Sequence, residues 1–198
     1  MDIASLSESL DRHIWPQIQT MMTHDAYFKL MVRVRELTGE LNGPLAGLIE
    51  DGYVTSQTIA IRRLCDHRKD VISLRRLLEG ENDLLQKLDS CKHVCGLVNE
   101  YVAHTANPLL PRNASDWNLN VGHLTEAQKA ICEVAVIFDR DRLGRKCYVA
   151  LIPVPQFDLM EEFKNWVPEA SIEQLWEFWH EHNQTVNAWI PVASSHVG

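Results

Sequence analysis

The chain has 198 residues, 45% hydrophobic and 23% charged, which suits one domain with an elaboration or two small ones around a buried core. Its 19 Lys and Arg against 27 Asp and Glu leave a formal net charge of −8, which argues against broad, non-specific phosphate binding but not against a local basic patch. Five cysteines without scaffold spacing point to reduced thiols in a cytosol, and no stretch approaches the roughly 20 apolar residues of a membrane span.

The N-terminal "MDIASLSESLDRHIW" has neither the basic n-region nor the apolar core of a signal peptide, so the expectation is a cytoplasmic protein with no membrane partner. Helical apolar spacing runs over about 3–38, with Pro16 placed to kink or restart the helix. Asn42-Gly43 makes a stop and Pro44 opens a second helix to about 67. The helical period puts Leu48, Ile49, Gly52, Ser56, Ile59 and Ala60 on one face, expected to be buried, and continues it to Arg63 beside Asp66 and His67.

A short helix is expected over 70–79, ended by Gly80. Another runs from 83 or 89 to 105, with Cys91, Val94, Cys95, Val98, Val102 and Thr105 as its apolar stripe. Residues 106–123 are rich in Pro, Asn and Gly and read as a long loop. "TEAQ" (125–128) has capping-box spacing and opens a helix to about 143, stopped by Gly144. "KCYVALIPVP" (146–155) reads as extended or mixed, since its prolines make it a poor sheet member. "SIEQ" (171–174) starts a last helix with the stripe Ile172, Leu175, Trp176, Trp179, Val186 and Trp189, expected to pack on the bundle. The fold class is therefore all-α: a helical bundle over 1–145 and a helical C-terminal extension over 146–198.

Two groups carry candidate chemistry. His104, in "YVAHTANP", lies near the end of a predicted helix, where imidazole serves either as a dipole-complementing cation or as a general acid or base. Arg62, Arg63, Asp66 and His67 form a polar cluster that reads as a structural ion pair or a solvated helix end before it reads as a site. No CxxC, HExxH, GxGxxG or GxxxxGK[ST] occurs, and "DRDRLGRK" lacks the ligand pattern of a calcium loop, so neither metal nor cofactor is expected.

"IRRLCDHRKDVISLRRLL" on one hairpin followed by "NEYVAHT" on the next resembles the abortive-infection-associated branch of the HEPN superfamily, over about residues 45–140. The resemblance implies a homodimer of helical bundles in prokaryotic defence or toxin–antitoxin systems, with RNA and an antitoxin protein as partners. Active members are metal-independent ribonucleases in which the Arg and His of R-x(4–6)-H meet across the dimer interface. The His then moves a proton at the ribose 2′-hydroxyl and the Arg stabilises charge on the phosphate. Here the positions before His104 hold Leu97, Val98 and Asn99, with Glu100 one turn back, so the expected Arg is absent. A literal R-x(4)-H occurs instead as Arg62 to His67, and Arg62 or Arg63 could rebuild the pair with His104 from a neighbouring helix. Two functions follow: an RNA-directed HEPN-like protein without an assured ribonuclease centre, or a non-catalytic, dimerising, partner-binding helical protein.

Overall fold

The computed structural model describes residues 2–39, 43–97, 120–145, 151 and 171–190. These residues are helical with no strand among them, as the apolar periodicity predicts. No helix among them is long and apolar enough to cross a membrane.

Helix α1 (Ile3–Ser9) is capped by Asp2, whose carboxylate accepts from the Ser5 N–H at 2.8 Å. It runs through a π turn (Leu10–Ile14) into α2 (Trp15–Thr38). Pro16 is the reason for the wide turn: a proline has no N–H and its ring crowds the carbonyl four residues back. The wide turn shows in the Trp15 N–H, which bonds to the Leu10 carbonyl five residues back. Gly39, at φ 69°, closes α2 in the left-handed conformation that suits a residue without Cβ.

Helix α3 (Pro44–Leu64) packs against α2. Its buried face is Ala46, Tyr53, Gln57, Thr58, Ile61 and Leu64, not the face expected from the sequence. Leu48 is 69% exposed and Ile59 38% exposed, and Gly52 and Arg63 also face outwards. The helix is apolar on two sides, so periodicity alone does not choose between them.

The short helices α4 (Leu74–Leu77), α5 (Asn82–Leu88) and α6 (Lys92–Leu97) follow, with a 3-10 turn (Asp89–Cys91) joining the last two. Helix α7 (Val121–Ile137) begins four residues before the expected "TEAQ" start. Asn120 caps it, accepting from the His123 N–H at 3.0 Å while the His123 ring accepts from the Asn120 N–H. Thr125 sits inside the helix and donates to the Val121 carbonyl. A second π turn (Phe138–Arg142) ends α7. Helix α8 (Ile172–Asn187) starts where "SIEQ" predicts, although the Ser171 side chain makes no cap bond.

One apolar core joins these elements. Leu10, Ile14, Ile18 and Met22 from the N-terminal rod meet Ile61, Leu64, Ile131, Ala135 and Phe138. Leu175, Trp179 and Val186 of α8 belong to the same cluster, so the Trp-bearing helix packs on the bundle. Each fully buried aliphatic or aromatic side chain contributes about 1.5–3 kcal/mol relative to exposure. An ionic staple fastens the end of α7 to the start of the N-terminal rod. Arg145 grips Asp11 with two bonds of 2.7 and 2.8 Å, reaches the Ser7 hydroxyl at 2.9 Å, and pairs with the buried Asp139.

Candidate functional site

The polar cluster at the end of α3 separates into two parts. Asp66 is buried and accepts from Arg62 at 2.9 Å, from the Arg68 guanidinium, and from the Arg68 backbone N–H at 3.0 Å. Its own carbonyl accepts from the Ser73 hydroxyl, which also caps α4. Burial opposes ionisation of Asp66, but the Arg68 and Arg62 contacts overcome it and hold the carboxyl well below its usual range. Asp66 therefore organises the corner between α3 and α4, as a structural ion pair would, with Arg62 and Arg68 as partners rather than Arg63. His67 is exposed beside it. His104 lies outside the described residues, so its placement against Arg62 or Arg63 is not part of the site.

Arg63 points elsewhere. It lines an open groove of about 420 Å³ between α2 and α3, together with Gln17, Thr20, His24, Ser56 and Ile59. Among the described residues no carboxylate lies within ion-pair distance of Arg63. The walls thus present a guanidinium, an imidazole, two hydroxyls and the amides of Gln17 and Gln57 beside a small aliphatic surface, a mixture that can meet an anionic group with a charge-assisted donor and its neighbours with polar contacts. His24 is a groove residue the sequence reading did not select. The signal was there: Gln17, Thr20 and His24 form a polar line at i, i+3, i+7 on α2, facing polar positions of α3.

A buried polar network lies behind the groove floor. Gln57, which also lines the groove, donates to the Met21 carbonyl at 3.2 Å and accepts from the Gln128 amide at 3.0 Å. Gln128 also donates to Asp25 at 3.3 Å, and the Tyr53 hydroxyl donates to the same Asp25 oxygen at 2.5 Å. Lys29 pairs with the other oxygen at 2.8 Å, and His182 of α8 approaches it at 3.4 Å, an ion-pair distance but long for a hydrogen bond. Four helices are tied to one carboxylate. Burial raises the cost of ionising Asp25, yet the His182, Lys29 and Tyr53 contacts outweigh it and leave the group at about 2. The phenol of Tyr53 is pushed up by its burial and by the Asp25 charge, so it remains a donor.

Among the described residues no set of three or more His, Cys, Asp or Glu is disposed to hold a metal. No family model, curated protein or solved structure matches the chain.

Proposed function

We propose that this is a HEPN-like, RNA-directed protein that binds its ligand in the α2–α3 groove without cleaving it, in the defence or toxin–antitoxin setting the resemblance implies. The observation that carries the reading is the division of labour between adjacent arginines. Arg62 is engaged with Asp66, whereas Arg63 lines an open groove with His24 and has no carboxylate partner among the described residues. A guanidinium offers a phosphate two parallel donors, and the hydroxyls and amide of the groove suit the 2′-hydroxyl and base edges of a single strand. The net charge of −8 makes a short, local contact more fitting than a long electrostatic track.

Fluorescence anisotropy with a labelled single-stranded RNA tests it, with Arg63→Ala as the variant and Arg12→Ala, in the π turn between α1 and α2, as the control. Binding that weakens about tenfold in Arg63→Ala, with a shallower salt slope, is expected, since a charge-assisted contact is worth about 1.5–3 kcal/mol. The RNA should remain intact. Absence of binding, or equal binding by both variants, overturns the groove reading, and fragmented RNA overturns the non-cleaving part.

A second reading, a dimerising scaffold, is favoured by the outer face of α3. Leu45 and Leu48 are exposed there beside Gly52, and a helix with apolar residues beyond its buried face calls for a partner on that side too. Light scattering across concentration decides it: a dimer lost in Leu48→Glu supports it, and a monomer throughout removes it.

A further inference from the structure

Arg63 and His24 stand at opposite ends of the α2–α3 groove. The two helices are antiparallel, as their cross-bonds show. Gln57 reaches the Met21 carbonyl and Tyr53 the Asp25 carboxylate, so falling numbers on α3 meet rising numbers on α2. The Arg35–Glu50 pair continues the order. Followed the other way, this register sets Arg63 beside Pro16 and Gln17, whereas His24 lies level with the turn from Tyr53 to Ser56. The steps from Gln17 to His24 and from Ser56 to Arg63 are each about 10 Å long, at 1.5 Å of rise per residue.

The two side chains lean towards each other. Every Cα–Cβ bond of a helix tilts to its N-terminus, so on antiparallel rods Arg63 leans to the Ser56 end and His24 to the Gln17 end. Their donor groups are therefore closer than their backbones. Both residues are exposed, and neither makes an ion pair among the described residues. Asp25, next to His24 in sequence, turns inwards to Tyr53 and Lys29. A guanidinium donates at any pH, and an imidazole donates an N–H whether neutral or protonated.

Between these ends the groove changes character. The Gln17 amide donates to the His13 carbonyl at 2.6 Å, and the Ser56 hydroxyl donates to the Tyr53 carbonyl at 2.9 Å. The side-chain oxygen of each is left to accept. Ile59 and Ala60 add an aliphatic strip. Acceptor oxygens and aliphatic carbon do not attract a phosphate. They suit a ribose, whose hydroxyls donate and whose ring carbons are apolar.

Resting on the reading of this groove as an RNA seat, we infer that it engages one nucleotide step of a single strand. Arg63 takes one phosphate, His24 takes the next, and the ribose between them lies against Ile59 and Ala60. What the groove reads is the spacing of two phosphates across one sugar.

Competition against labelled single-stranded RNA tests this with the full chain. The competitors are uridine 3′,5′-bisphosphate, uridine 5′-diphosphate and uridine 5′-monophosphate. The first two carry two phosphates each, but only the bisphosphate has a sugar between them. In the wild type the bisphosphate should displace RNA at a concentration about tenfold lower than either of the others, the gain from a second charge-assisted contact. His24→Ala should abolish that advantage, and His24→Arg should keep it. His24 is exposed and outside the core, so neither variant disturbs the fold. A diphosphate as effective as the bisphosphate, or an advantage that survives in His24→Ala, overturns the inference while Arg63-dependent RNA binding stands. RNA binding that ignores Arg63→Ala overturns the seat itself, and this inference with it.

Discussion

The Tyr53 hydroxyl donates to the Asp25 carboxylate at 2.5 Å in the middle of the bundle, joining α3 to α2 where both side chains are buried. The same tyrosine ring lies flat on Phe28, with centroids 3.7 Å apart. Tyr53→Phe keeps the stack and removes one donor, leaving that Asp25 oxygen with Gln128 alone. A loss of about 1–3 kcal/mol in urea denaturation is expected, the cost of leaving a buried acceptor poorly satisfied. A change within error of zero would show that the network does not hold the two helices together.

Asp25 also gives the protein a defined acid sensitivity. Its carboxyl sits at about 2 in the folded chain, against an ordinary value of 3.8. A depressed carboxyl contributes stability that is present above the unfolded value and is lost as pH falls through the folded one. The contribution is about 2 kcal/mol above pH 4 and fades between about 4 and 2. Thermal melts of wild type and Asp25→Asn should show a gap at pH 6 that narrows across that window. A gap that is constant with pH would mean that the ionised form is not what the surrounding groups stabilise.

Arg145 fastens the end of α7 to the N-terminal rod. Removing it in Arg145→Ala leaves Asp139 buried without its cation, and breaking a buried pair from one side costs about 3–5 kcal/mol, an upper bound here because Arg145 is partly exposed. Arg145→Lys keeps the charge but loses the paired bonds to Asp11, so its loss should be intermediate. Chemical denaturation of the three proteins checks the order; a lysine variant as weak as alanine would assign the effect to bond geometry alone.

The caps offer a clean comparison. Asn120→Ala should cost about 1 kcal/mol, because its side chain satisfies the His123 N–H at the start of α7. Thr125→Ala should cost little, since Thr125 lies within the helix and bonds back to the Val121 carbonyl. Denaturation midpoints that reverse this order would place the start of α7 at "TEAQ" after all.

That contrast shows which features were legible in the sequence. Where a helix has one apolar stripe, as α8 does with Leu175, Trp179 and Val186, spacing located the buried face correctly. Pro16, Pro44, Gly80 and Gly144 punctuated the chain because their backbone chemistry is local. Helix α3 was misoriented because its inner face includes Tyr53, Gln57 and Thr58, which look like surface residues until their partners are known. Gln57 is satisfied by Gln128, 71 positions away, and Asp25 and Gln128 are 103 apart; no window of neighbouring residues contains that information. His24 is a mixed case: its polar line with Gln17 and Thr20 is local and legible, but the placement of Arg63 in the same groove comes from another helix.

The groove between α2 and α3 as the seat of RNA is the central claim, and photo-crosslinking addresses it most directly. Single-stranded RNA carrying 4-thiouridine is bound to the wild-type chain and irradiated, and the attached peptides are sequenced. Cross-links concentrated in residues 16–24 and 56–63, and lost in Arg63→Ala, are the result this account predicts. Cross-links that fall mainly on α8 or on the corner around Asp66, with residues 16–24 and 56–63 unmodified, would contradict it.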